Sequence, residues 1–169
     1  GEEFQGTLSP DLVGKQLPYQ VSIPTTLSAG EFNTGGGNGL DDQAGHKIRV
    51  RNPALFAHLI VLDPEMTEGT PDWLWLSTGV KAMDHCIERL YSAGNQPAVD
   101  APILSAAELL FRYLPRSREQ DQDLDARLHC LMGAWLSMMG APNFAMGLSH
   151  ALGHVIGVKY SVSHGYTSC

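Results

Sequence analysis

The period of apolar positions changes along this chain. Tyr19-Gln-Val-Ser-Ile23 alternates apolar and polar residues and ends at Pro24, which predicts a short strand. His46-Lys-Ile-Arg-Val-Arg51 alternates in the same way. His58-Leu-Ile-Val-Leu62 is a continuous apolar run closing on Asp63-Pro64, the pattern of a buried strand. From residue 70 the spacing becomes helical. Thr70-Pro71-Asp72 is a helix start, with a hydroxyl, a proline at the first position and an acid in the first turn, and the helix is expected to reach about Tyr91. Asp100 opens a second helix, expected to stop at Leu114 before Pro115. A third spans 121–140, with Leu124, Leu128, Leu131, Trp135 and Met138 as its core stripe. A fourth, capped by Asn143, carries the segment GLSHALGHVIGVKYSVSHG. Strands thus occupy residues 1–68, after a polar, irregular start at 1–17, and helices occupy 69–169.

Composition narrows the function classes. The 169 residues suffice for one sizeable core. A net charge of −7 argues against nucleic acid and anionic membrane surfaces. No apolar run approaches the roughly 18 residues of a membrane span. Cys86, Cys130 and Cys169 are odd in number and lack metal spacing, so reduced thiols in a cytoplasmic protein are expected. A start at Gly1 and a stop at Cys169 read as cuts at both ends.

The histidine segment carries the chemistry. His150 and His154 stand at i and i+4, on one helical face, and His164 returns on a His-Gly turn. Two imidazoles one turn apart plus a third from a returning loop can build a metal site; a pair of satisfied structural histidines is the plainer alternative. In the first helix Lys81, His85 and Glu88 share a face at i, i+4 and i+7. The stretch PTTLSAGEFNTGGGNGL, residues 24–40, is rich in Thr, Ser and Gly and offers hydroxyl and backbone N–H donors for an anion such as phosphate, or is a plain surface loop.

The order PTTLSAGEF, VLDPEMTEGTP, TGVKAMDHCIERLYS and GLSHALGHVIGVKYSVSHG resembles the iron-containing alcohol dehydrogenase family, closest to its maleylacetate reductase-type branch. The resemblance implies a dehydroquinate synthase-like fold, α+β and mostly α in this chain. Residues 1–68 would be the C-terminal part of an α/β nucleotide-binding domain, and 69–169 the N-terminal half of a helical, histidine-bearing domain. The family's glycine-rich pyrophosphate motif would lie upstream, so the chain reads as a fragment. The implied activity is an NAD(H)- or NADP(H)-dependent reduction of a small carbonyl substrate in the interdomain cleft, by a protein that is a homodimer when full length. Residue by residue, His85, His150 and His164 match the metal ligands, His154 the histidine assigned to substrate contact or proton relay, and Thr25, Thr26 and Ser28 the cofactor-contacting loop.

One position departs from the pattern. The family's fourth ligand is an Asp four residues before the first His, and that position is Lys81. An ammonium has no lone pair to donate, and like charges about 4 Å apart repel by roughly 4 kcal/mol at an effective dielectric near 20, twice that for a dication. Lys81 is therefore read as a catalytic residue that replaces the metal's charge at the developing alkoxide. Asp84 is a weaker candidate ligand, about 100° around the helix from His85. The rival readings are an Fe or Zn alcohol dehydrogenase using His85, His150 and His164, a lyase on the same fold, and a non-catalytic remnant that binds metal or a partner.

Overall fold

The computed structural model describes residues 18–32, 36–40, 47–51, 56–119, 123–140, 147–160, 162 and 166–168; for 36–40, 47–51, 154, 158 and 168 it describes the backbone alone. Four short strands precede four helices: β1 Val21–Ser22, β2 Gly36–Leu40, β3 Lys47–Arg51, β4 Leu59–Ile60, α1 Asp72–Leu90, α2 Pro97–Glu119, α3 Leu124–Ser137 and α4 Leu148–Tyr160. β1 pairs in parallel with β4, with Val21 opposite Leu59, and β2 pairs antiparallel with β3, with Gly36 opposite Arg51. The chain is mostly helical, as the resemblance implied. The stretch at 36–40 is a strand of the β2–β3 hairpin, and of the expected anion loop 24–29 remains irregular, followed by a single 3-10 turn at Gly30–Phe32. No helix among the described residues is long and apolar enough to cross a membrane.

Leu27, Trp75, Ile103, Leu110, Leu114 and Leu131 form the centre of the core between α1, α2 and α3. Trp75 is fully enclosed, its Nε1 donating to Ser117 Oγ at 2.9 Å and the Arg127 guanidinium lying 4.9 Å from its ring centroid. Arg127 also donates to Thr67 O at 3.1 Å, tying α3 to the turn before α1. The helices approach closely where glycine permits it. A Cβ at Gly133 would lie 2.9 Å from Leu110 Cγ and 3.3 Å from the Ala106 carbonyl oxygen.

That closeness corrects the expected stripe on α3. The buried residues are Ala126, Arg127, Cys130, Leu131, Gly133, Ala134 and Ser137; of the expected stripe Leu131 is buried, Leu124, Leu128 and Met138 are half-buried and Trp135 is 39% exposed. Where Gly133 lies tight against α2 the helix needs a small residue, and Trp135 turns to the flank. The helix α2 also runs through both Pro102 and Pro115 to Glu119. Pro115 removes one backbone bond, but burial of Leu114 and Ser117 and the Ser117–Trp75 contact hold the next turn in place.

Candidate functional site

The site lies where the second half of α1 meets the first turn of α4. Lys81, Asp84, His85 and Glu88 come one turn apart on α1, and all but Asp84 are buried. Lys81 is 2% exposed, and its Nζ lies 3.0 Å from Asp84 Oδ2. The same oxygen accepts from Ser149 Oγ at 3.0 Å, which links α1 to α4. Glu88 Oε1 accepts from the backbone N–H of His150 at 3.1 Å. The His85 and His150 rings face each other with centroids 5.7 Å apart and a 37° tilt. Of the residues read from sequence, Lys81, His85 and His150 therefore come together. His154 follows one turn later on α4, with its side chain outside the described residues, and His164 and Asn143 lie outside them altogether.

Asp84 stands closer to the centre of this cluster than its angle from His85 suggested, because α4 crosses α1 on the side shared by positions 81, 84 and 88. Sequence reasoning left Glu88 on the right face without a role, read Gly147 as room for a close approach, which the structure bears out, and passed over Ser149 and Tyr91. The signal for Glu88 was its place one turn after His85. No local pattern marks Ser149 or Tyr91, because the groups they meet between α1 and α4 lie more than fifty residues away in sequence. The Tyr91 phenol is pushed above its ordinary value by desolvation first, then by the charges of Glu88 and Asp84.

The loop bearing Thr25, Thr26 and Ser28 is fastened to the other half of α1. Leu27 is buried in the core, and its N–H donates to Thr78 Oγ1 at 3.1 Å. Thr70 Oγ1 donates to the Thr25 carbonyl at 2.6 Å. Thr26 and Ser28 hydroxyls meet at 2.9 Å, and Thr25 and Ser28 remain exposed. Ala29 closes the loop at φ 58°, a left-handed conformation unusual for a residue with a Cβ. Burial pushes the Glu31 carboxyl above its ordinary range, against a backbone hydrogen bond that lowers it. Thr78 stands one turn before Lys81, so one helix carries both the fastening of the hydroxyl loop and the charged cluster.

The four-ligand set implied by the resemblance is not complete here. Position 81 brings an ammonium instead of a carboxylate, already paired with Asp84. Among the described residues, the one group spaced to hold a cation is Asp84, Glu88 and His150, whose donor atoms lie within 4.8 Å of one another. Two of those carboxylate oxygens already accept from protein donors.

Comparison with known proteins agrees with this architecture. The Fe-containing alcohol dehydrogenase family, C-terminal, matches residues 75–169. Dehydrogenase FUM7 of Gibberella moniliformis is 33% identical over 162 residues, covering 88% of this chain and 38% of that protein. The crystal structure of maleylacetate reductase from a Rhizobium species superposes with a TM-score of 0.80 at 30% identity, over 88% of this chain and 42% of that one. Sulfoacetaldehyde reductase from Bifidobacterium kashiwanohense, solved in complex with NAD+, superposes with a TM-score of 0.81 at 25% identity, over 94% of this chain and 44% of that one. The chain thus spans about two fifths of the length of the relatives it matches. On the family match, the identity to these relatives and the shared fold, the chain belongs to the iron-containing alcohol dehydrogenase family.

Proposed function

We propose that this chain is the histidine-bearing part of an NAD(P)H-dependent reductase of a small carbonyl compound, with a carboxylated enone of the maleylacetate type as the substrate class. In this reading residues 1–68 belong to the nucleotide-binding domain and 69–169 to the helical domain, and the full-length protein is a cytoplasmic homodimer. The nicotinamide supplies the hydride. Transfer to a ketone builds negative charge on the carbonyl oxygen, which a cation or hydrogen-bond donor must meet. Lys81 provides that charge, and His85 and His150 flank it. His154, one turn along α4, delivers the proton to the alkoxide. Thr25, Thr26 and Ser28 present hydroxyls to the dinucleotide. The observation that carries the reading is a buried ammonium, held by Asp84 one turn before His85, at the position where the family pattern has a metal-binding Asp.

The test uses the full-length protein. Activity should survive a strong chelator. Lys81→Ala should lower kcat by ~10²–10³-fold with little change in KM, because the interaction forms mainly in the transition state, and Lys81→Arg should recover part of the loss by keeping the charge. Chelator-sensitive wild-type activity, with Lys81→Ala near normal, refutes the role of Lys81. That result would favour a second reading, a divalent-metal dehydrogenase, for which the convergence of Asp84, Glu88 and His150 is the supporting observation. Metal analysis of the purified protein separates the two.

A further inference from the structure

We infer that Glu88 is a positioning residue: its carboxylate, reaching from α1, serves as the N-terminal cap of α4 and thereby sets His150 against His85. This rests on the assignment of His150 to the reductase site. The helix α4 cannot cap itself. Its N-cap residue is Gly147, whose carbonyl accepts from Ala151 N at 3.1 Å and which has no side chain to turn back on the first free N–H groups. Glu88 Oε1 takes the N–H of His150, the third residue of α4, in its place. Glu88 is 4% exposed, and its Oε2 finds no hydrogen-bond partner among the described residues. A carboxylate is held this deeply because it meets a helix N-terminus, where the aligned peptide dipoles favour negative charge.

Gly147 is what lets the carboxylate in. A Cβ at that position would lie 2.5 Å from Glu88 Oε1 and 2.6 Å from Tyr91 Oη. Asp84 adds a second carboxylate one turn earlier on α1, bonded to Ser149 in the same turn of α4. Among the described residues, α4 sends no apolar side chain into the fully buried core. The contacts that hold it among the described residues are these polar bonds and the stacking of Trp73 with Tyr166 beyond its C-terminus, at 5.8 Å between centroids.

The experiment compares Glu88→Ala, Glu88→Gln, Gly147→Ala and the double variant Gly147→Ala/Glu88→Ala in the full-length protein. Readouts are amide hydrogen exchange at His150, the NMR ring signals of His85 and His150, and kcat and KM. Glu88→Ala should speed exchange at His150 and shift both ring signals, and should lower kcat by about tenfold or more with KM nearly constant, as expected of a misplaced group. Glu88→Gln, whose amide oxygen still accepts from His150 N–H, should restore most of each. Gly147→Ala should mimic Glu88→Ala by displacing the same carboxylate, and the double variant should add nothing. Unchanged exchange and ring signals in Glu88→Ala and Gly147→Ala overturn the inference. So does a lower melting temperature with normal ring signals and kcat. Should Glu88→Ala fail to fold, Glu88→Gln and Gly147→Ala decide. A wild type without reductase activity would refute the proposed function, while exchange and ring signals would still test the cap.

Discussion

α3 and α4 begin in opposite ways. At α3, Asp123 caps its own helix, its Oδ1 accepting from Ala126 N at 2.9 Å while Arg116 pairs with the other oxygen. The face that follows is buried against α2. At α4 the cap residue is a glycine, the carboxylate comes from Glu88 on α1, and the apolar side chains Leu148, Leu152, Val155 and Tyr160 are exposed. One helix is held by local chemistry and apolar packing, the other by long-range polar bonds. Packing is tolerant of small shifts in any one contact, whereas a buried carboxylate on a single N–H fixes one register. A histidine that must meet another at a set distance is well served by the second arrangement.

The largest effect should come from Trp75, which belongs to the packed side of the comparison. Trp75→Ala leaves a cavity, a Ser117 oxygen that has lost its indole donor and an Arg127 guanidinium with no ring beneath it. The expected cost is about 3–5 kcal/mol, a large share of the ~5–15 kcal/mol that stabilises a domain. Urea unfolding measures it, and a loss below ~1 kcal/mol would mean that α1, α2 and α3 do not depend on a common core.

Gly133 and Gly147 sharpen the contrast. A methyl at 133 meets Leu110 and the fixed Ala106 carbonyl oxygen, an overpacking worth about 1–3 kcal/mol. Higher helix propensity returns up to ~1 kcal/mol. Because a backbone oxygen cannot yield as a side-chain tip can, Gly133→Ala should be destabilised by ~1 kcal/mol in thermal unfolding, with the His150 ring signal unmoved. Gly147→Ala should do the reverse. If Gly133→Ala moves the His150 signal as Gly147→Ala does, the two regions are coupled and the comparison fails.

The same contrast explains what the sequence revealed. The strand at 47–51, the place where α1 starts and its end near Tyr91 were legible in neighbouring residues, but the expected capping role of Thr70 was not met: Pro71 is the N-cap residue, and the Thr70 hydroxyl donates to the Thr25 carbonyl instead. The pairing of Lys81, His85 and Glu88 on one face followed from helical period alone. The expected stop of α2 at Pro115 failed because burial of Leu114 and Ser117 outweighs one missing backbone bond. The stripe of α3 held at Leu131 and in part at Leu124, Leu128 and Met138 but not at Trp135, because its period permits neighbouring faces and only the closeness of α2 selects between them. Asn143, the cap expected from neighbouring residues, lies outside the described residues; α4 is described from Leu148, and the carboxylate bonded in its first turn comes from some sixty residues earlier. Asp84 was ranked too low and Ser149 missed for the same reason.

The smallest effect tests whether the cap of α3 is as local as it looks. The Asp123 carboxyl is held below its ordinary value by the Ala126 N–H first and by Arg116 next. A group whose pKa is depressed in the folded state contributes stability above its unfolded pKa, near 3.8, and loses that contribution as pH falls through the folded value. Between those two values the unfolded chain binds the proton more readily, so stability should fall with acid. Asp123→Asn keeps an oxygen for the Ala126 N–H but cannot take up this proton and gives up the ion pair with Arg116. At neutral pH its melting temperature should lie slightly below that of the wild type, since an ion pair with its Arg116 side half in solvent contributes little. As pH drops below about 4 the gap should narrow, and the His150 amide should exchange at the wild-type rate throughout. A gap that stays constant from neutral pH to about 3 would mean that the Asp123 charge contributes nothing and that hydrogen bonding alone caps α3. A change at His150 would show that its placement depends on the start of α3 as well as on Glu88.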